Sequence, residues 1–330
     1  MSSGREGLAI SVATSDMSEP RGITGKAAGE GALKGAILIA GPTASGKSAL
    51  ALKLARETGG VIVNADSMQV YSGLRVLTAR PDAAHEAEVA HLLYGHVDPA
   101  VSYSTGRYIR DVAALAGEGA FNGRAAIFVG GTGLYFRALI QGLSEIPDVP
   151  DRIRQKWRAA AQDEGAPALH RILAGRDPVA AAAIHAADAQ RIVRALEVLE
   201  ASGKPISHWQ AMAGEPAVER AGARLFVIEP DRDELAQRIS RRFDAMLEEG
   251  ALDEARAIAA RGLDPSLPAM KAIGLRELVA ADRGEMSLEE AVEQAKTATR
   301  QYAKRQMTWF RNQFGPEWQR IAVGETVDPR

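Results

Sequence analysis

The sequence predicts an α/β fold, a parallel sheet flanked by helices on both faces and interrupted by a helical insertion. Three observations predict it. Four short runs, 36–40, 61–65, 125–129 and 224–228, are apolar without alternation, as strands buried on both faces must be. Stretches of helical periodicity separate them, as parallel crossovers require. A glycine-rich turn joins the first run to the first helical stretch.

Taken in order, residues 1–34 are rich in Gly, Ser and Ala, with scattered charges of both signs and no apolar stretch of the secretory kind. They are expected to be a disordered extension outside the fold. The first strand is Ala36-Ile37-Leu38-Ile39-Ala40, followed by the turn and a helix over Ser48–Thr58. The second strand, from Val61, ends at Asp66, and the third, from Ala125, ends at Gly130-Gly131. From Leu143 to about Ala221 strand signals stop. Pro147, Pro150, Pro167, Pro178 and Pro205 punctuate short helical pieces, and an amphipathic stretch from Asp188 to Ser202 stops at Gly203. This marks 146–221 as an insertion. The fourth strand, Arg224–Ile228, returns to the core, and amphipathic helical blocks run from Asp233 to about Phe314. The core is thus expected to comprise 35–145 and 222–330.

Composition narrows the chemistry. Of 330 residues, 46% are hydrophobic, enough for a substantial core. The formal net charge of −2 means that any polyanion must be met by a local basic surface. The absence of cysteine removes disulfides, thiolate metal sites and cysteine nucleophiles. No segment has the apolar length of a bilayer span, so the expectation is a cytoplasmic protein with no membrane partner.

Gly41-Pro42-Thr43-Ala44-Ser45-Gly46-Lys47-Ser48 matches G-x-x-x-x-G-K-[ST] between a buried strand and a helix, the context that motif needs. Such a loop turns backbone amides and a helix N-terminus toward an anion, Lys47 adds a full charge, and the Ser48 hydroxyl can ligate Mg2+. The fold is therefore expected to be P-loop NTPase-like. The motif specifies a polyphosphate without saying which ester.

Asp66 leaves the carboxyl end of a parallel strand, where α/β proteins place their ligands. Three roles fit it: a general base, a Mg2+ ligand through water, or a cap of the following turn. Thr132, after the glycine pair, can cap the next helix or touch a ligand phosphate or ribose, and spacing favours the cap. Arg238, Arg241 and Arg242 share a helical face, either solvated among acids or clamping a diphosphate. From Lys296 to Pro316 there is no acidic residue, while Lys296, Arg300, Lys304, Arg305 and Arg311 are basic and Tyr302, Trp309 and Phe310 interleave. That pattern suits a nucleic-acid backbone, or else a surface helix whose aromatics are core.

Several segments in order resemble the tRNA dimethylallyltransferases: GPTASGKS at 41–48, DSMQVYSGL at 66–74, TARP at 78–81, VDP at 97–99, YSTGRYIRD at 103–111, VGGTGLYFRAL at 129–139, QRIVRALEV at 190–198, RRFDAML at 241–247 and RQYAKRQMTWFR at 300–311. The resemblance spans about residues 36–315. It implies that the loop holds dimethylallyl diphosphate, through Thr43, Lys47 and Ser48 with Mg2+, and that Asp66 is the general base. It assigns Arg242 to the diphosphate. It implies tRNA contacts, at the anticodon stem-loop, for Asp66, Ser67, Met68, Gln69, Thr132 and Arg154, and for Gln190, Arg191, Ile192, Val193 and Arg194. Arg300 and Lys304 join them from the basic helix, and a monomer is expected. Leu77, Ala90 and Ser48 depart from the commoner pattern without removing a needed group. An adenylate isopentenyltransferase, a small-molecule P-loop kinase and a pure binding protein are the competing readings.

Overall fold

The computed structural model describes residues 32–212 and 214–328. The extension expected to be disordered lies outside the described residues up to position 31. Its last part belongs to the fold: Leu33 bridges to Val218, its N–H donating to Ala217 O (2.9 Å) and its carbonyl accepting from Glu219 N (2.9 Å). The ordered chain therefore begins before Ala36, because an extended backbone at Leu33 finds partners at 217–219.

The sheet has six parallel strands, β1 (Ile37–Ala40), β2 (Val61–Asn64), β3 (His91–Leu92), β4 (Ala126–Gly130), β5 (Arg224–Ile228) and β6 (Gln319–Ile321), in the order β3-β2-β4-β1-β5-β6. The four inner strands coincide with the four apolar runs to within a residue. The edge strands β3 and β6 were not foreseen. They have two and three residues, and Gln319 and Arg320 are exposed, so neither carries the apolar run that a doubly covered strand needs.

Alternate strand residues feed opposite layers, as the pleat dictates. Leu38, Val63, Phe128 and Val227 pack on one side, and Ile39, Ile62, Ile127 and Phe226 on the other against α1 (Lys47–Thr58). The short α2 (Ala83–Glu88) precedes β3; α3 (Thr105–Gly117) and α4 (Gly133–Gln141) cover the first side. Helices α5 (Asp151–Asp163), α6 (Ala166–Arg176), α7 (Pro178–Ala183), α8 (Ala189–Ser202) and α9 (Ile206–Gln210) fall within 146–221. They bury a hydrophobic cluster of their own, with Ile153, Trp157, Leu169, Leu173, Ile192 and Leu196 among its members. Helix α8 starts where the Asp188 carboxylate accepts from Arg191 N and stops at Gly203 in the left-handed region. After β5 come α10 (Arg232–Glu248), α11 (Ala251–Ala259), α12 (Leu275–Asp282) and α13 (Leu288–Gln313). Helix α13 opens with a capping box between Ser287 and Glu290. Among the described residues, no helix is long and apolar enough to cross a membrane.

Candidate active site

The glycine-rich loop fills the space between β1 and the first turn of α1. Gly46 adopts φ 85 and Ala44 φ 62, the latter a left-handed conformation that costs a non-glycine residue roughly 1–2 kcal/mol. The Lys47 ammonium is buried and donates to Pro42 O (3.1 Å). Burial lowers its pKa to about 8; attraction to Asp66 opposes that shift and repulsion from Arg242 adds to it. The Ser48 side chain is exposed, and the Ser45 hydroxyl is buried with no hydrogen-bond partner among the described residues. Thr43 makes two contacts: its N–H donates to Gln306 Oε1 (3.0 Å), and its hydroxyl accepts from Arg242 Nη1 (3.3 Å). Burial holds the Arg242 guanidinium below its usual range, with Asp66 opposing.

Asp66 is placed by Asn64, the fully buried last residue of β2. Asn64 Oδ1 accepts from Asp66 N (2.8 Å), and its Nδ2 donates to Asp66 O (2.9 Å) and Leu93 O (3.0 Å). The Asp66 carboxylate divides its work. Oδ1 accepts from Met68 N (2.9 Å), the turn-capping role, while Oδ2 has no hydrogen bond to any described residue. Capping and chemistry therefore do not compete for the same oxygen.

Strand β4 lies between β2 and β1, so the ends that carry Asp66 and the loop stand two strand spacings apart, roughly 10 Å. The intervening end has no side chain. A Cβ at Gly130 would lie 2.0 Å from Ala65 O, and one at Gly131 would lie 2.1 Å from Gln306 Nε2. A pocket here is lined by the polar groups of Thr43, Asp66, Arg242 and Tyr302 and by the apolar side chains of Leu77, Phe243 and Met246. The Leu77 wall is fixed by Glu254, whose carboxylate accepts from Arg75 N (2.7 Å), Val76 N (2.8 Å) and Leu77 N (2.9 Å). Burial, with Asp66 adding to it, pushes the Tyr302 phenol up.

Other expected site residues sort differently. Thr132 does not cap α4; its hydroxyl accepts from Ser67 N (2.9 Å) and donates to Ser67 Oγ (3.2 Å), tying α4 to the Asp66 loop. Gln69 spends its amide hydrogens on Thr78 O (2.8 Å) and Ala79 O (2.9 Å), so it braces the turn behind Leu77. Met68 lines the pocket. Of Arg238, Arg241 and Arg242 on α10, Arg242 alone enters it; Arg238 pairs with Glu234 (2.9 Å) and Arg241 is exposed.

In α8, Ile192 (0% exposed) and Val193 (8%) are core. The expected RNA contact by these two is corrected, because their side chains hold the helical layer together. Gln190 and Arg191 are exposed, and Arg194 is half-buried beside Glu197 (3.7 Å). Arg154 donates to Val149 O (3.0 Å) and repels Arg194, which burial already holds below its usual range. In α13 the expected basic-aromatic surface divides in the same way. Lys296 is buried, bound to Asp244 (2.7 Å) and Glu293 (3.3 Å). Phe310 is core, and Trp309 packs where a Cβ at Gly133 would come within 2.1 Å of its ring. Arg300 donates to Thr297 Oγ1 (2.7 Å), while Lys304, Arg305 and Arg311 are exposed, and these four basic residues form no ion pair among the described residues.

Sequence reasoning missed Asn64, Phe243, Met246, Glu254, Tyr302 as a pocket residue, and Gln306. One signal could have found Gln306: it falls between Ala303 and Phe310 on the buried stripe of α13 at spacings of three and four.

The family model described as IPP transferase matches residues 69–313, and one described as isopentenyl transferase matches residues 34–94. The tRNA dimethylallyltransferase of Mesorhizobium japonicum is 61% identical over 305 residues, covering 92% of this chain and 95% of its own. Among solved structures, the full-length tRNA isopentenylpyrophosphate transferase of Bacillus halodurans is 34% identical with a TM-score of 0.62, covering 88% of this chain and 90% of its own. A eukaryotic dimethylallyltransferase acting on tRNA is 26% identical with a TM-score of 0.75, covering 88% of this chain and 74% of its own. With a phosphate loop, a strand-end carboxylate and an apolar wall in one pocket, and matches of this extent, the chain belongs to the tRNA dimethylallyltransferase family.

Proposed function

We propose that this protein transfers a dimethylallyl group from dimethylallyl diphosphate to the exocyclic amine of the adenosine 3′ of the anticodon in tRNA, releasing diphosphate. The observation that carries this reading is the shared pocket: Thr43 and Arg242 face Asp66 across a space walled by Leu77, Phe243 and Met246. A kinase needs the phosphate side of such a site; the apolar wall suits a donor whose transferred group is a hydrocarbon.

The amine is a weak nucleophile because its lone pair is delocalised into the purine. The base must leave its stack, at a cost of a few kcal/mol that an unpaired anticodon-loop position lowers. The free Oδ2 of Asp66 accepts a hydrogen bond from the amine and takes its proton as the C–N bond forms. The C–O bond to diphosphate breaks at the same carbon, and the departing oxygens gain charge. Lys47, Arg242 and the loop amides oppose that charge where it develops. The apolar wall keeps water from the allylic carbon.

The site also fits Mg2+. Among the described residues no group of three or more His, Cys, Asp or Glu could hold a metal, but this ion keeps several waters and binds through one or two protein oxygens plus substrate phosphates. The exposed Ser48 hydroxyl at the first turn of α1 would supply the protein oxygen, and the ion would neutralise charge on the diphosphate. Arg191, Arg194, Arg300, Lys304 and Arg305 would meet the RNA backbone, and both substrates would be met in the cytoplasm.

The reading is tested by supplying radiolabelled dimethylallyl diphosphate with either unmodified tRNA or AMP. Label in tRNA alone is the expected result. Label in AMP would make the protein an adenylate isopentenyltransferase, and no transfer to either would sink the prenyl-transfer reading.

A further inference from the structure

The side chain of Gln306, only 5% exposed, joins the two segments that leave the adjacent strands β1 and β4. Its Oε1 accepts from Thr43 N (3.0 Å) in the phosphate loop, and its Nε2 donates to Gly131 O (2.9 Å) just beyond β4. Each contact is passed on. Thr43 reaches the leaving-group side of the site, since its hydroxyl accepts from Arg242 (3.3 Å). Gly131 reaches the base side, since the next residue, Thr132, holds Ser67 beside Asp66.

We propose that Gln306 is a positioning residue that fixes the diphosphate cradle and the Asp66 carboxylate at one working separation; this deepens, and rests on, the prenyl-transfer reading above. A primary amide suits the task, because one rigid plane offers an acceptor and a donor to two backbone groups at once. The Gly131 carbonyl is buried and the Thr43 N–H partly so, and removing the amide leaves the buried carbonyl without a hydrogen bond it can recover from water. The neighbouring chain makes room for it: a side chain at Gly131 would collide with Nε2. The arrangement also decides which amides meet the anion, because the Thr43 N–H is already engaged. Lys304 and Arg305, the two residues before Gln306, face outward on α13. The helix that offers those cations to RNA therefore holds the spacer of the active site on its inner face. Transfer between two positioned groups is sensitive to misplacement well below the size of an atom, so loosening this tie costs turnover rather than binding.

The test is single-turnover prenyl transfer to tRNA by the full chain, with thermal melting recorded alongside. In Gln306→Met, which keeps the volume and removes the hydrogen bonds to Thr43, Gly131 and Tyr302, the transfer rate falls about 10- to 100-fold while KM for each substrate stays within about 3-fold. In Gln306→Glu the introduced carboxyl has the donor and acceptor of the amide only when protonated. Its rate relative to the parent therefore climbs as pH is lowered from about 8 to about 5.5. The charged and titratable groups around this side chain, Lys47, Arg242, Asp66 and Tyr302, are common to parent and variant. A Met variant that folds and keeps its rate within about 2-fold overturns the proposal, as does one that loses only diphosphate affinity. If the Met variant does not fold, the Glu variant decides alone, and a pH-independent ratio overturns it. A parent protein that transfers no label overturns the prenyl-transfer reading itself, a result distinguishable from failure of the variants.

Discussion

Asp66 lines the pocket and Lys47 is near enough to feel its charge, and each makes a separate prediction. Asp66→Ala removes the proton acceptor and also leaves Met68 N without its partner. The expected result is a loss of about 100-fold or more in the chemical step, with tRNA affinity within a few-fold. Pre-steady-state rates and filter binding measure the two, and near-normal turnover would remove Asp66 from the mechanism. Lys47 has its pKa lowered to about 8 by burial, so the free protein loses this charge as pH rises through that value. The apparent KM for the diphosphate donor therefore climbs above about pH 8, and a flat profile across that range counts against Lys47 as a phosphate ligand. For stability the sign is opposite. Between the folded value of about 8 and the unfolded value of 10.5 the unfolded chain binds the extra proton, so the Lys47 contribution to folding stability rises with pH in that window. At this scale the sequence was legible where a motif names its chemistry. Asp66 and Arg242, both singled out in the sequence, line one pocket, and Lys47 is near enough to feel the charge of Asp66. Gln69 and Thr132 spend side-chain groups on backbone partners, and a polar side chain committed to a distant backbone group looks the same in sequence as one offered to a ligand.

Helices in this fold serve two faces at once, and that limits what periodicity reveals. In α13 the five residues read as a basic surface include Arg300 and Lys304, whose side chains form no ion pair among the described residues, yet Lys296 from the same run is buried against Asp244. A basic run says nothing of which members point inward; the stripe of Ala295, Ala303 and Phe310 does. Replacing Arg300 and Lys304 together by Ala is expected to weaken tRNA binding and to lower the slope of log K against log salt by about one to two units. Binding isotherms at several salt concentrations measure this, and an unchanged slope would make α13 a packing element only. The edge strands were invisible for the same kind of reason. His91-Leu92 is too short to show a pattern, and β6 needs only Ile321 buried.

Across the whole molecule, the helical layer α5–α9 has a hydrophobic cluster separate from the two that sandwich the sheet. Leu173→Ala, in the centre of that layer, is expected to destabilise it by about 2–5 kcal/mol. Because the diphosphate cradle belongs to the sheet, tRNA binding should drop while donor binding stays within about 2-fold. Calorimetry with each substrate distinguishes the two, and equal loss of both would show that the layers stand or fall together. The parallel order of the inner strands was readable from four apolar runs; the placement of β4 between β2 and β1 was not, since strand sequence does not encode spatial order. That placement has a consequence for donor choice. The interval between Asp66 and the anion loop is set by main-chain pairing and by the Gln306 tie, so substitutions in the apolar wall leave it unchanged. The sheet acts as a fixed ruler for the first isoprene unit, and discrimination against longer prenyl chains falls to Leu77, Phe243 and Met246 at the far wall. Trimming those side chains is the route by which a ten-carbon donor would gain entry, with the reacting carbon still held at the same mark.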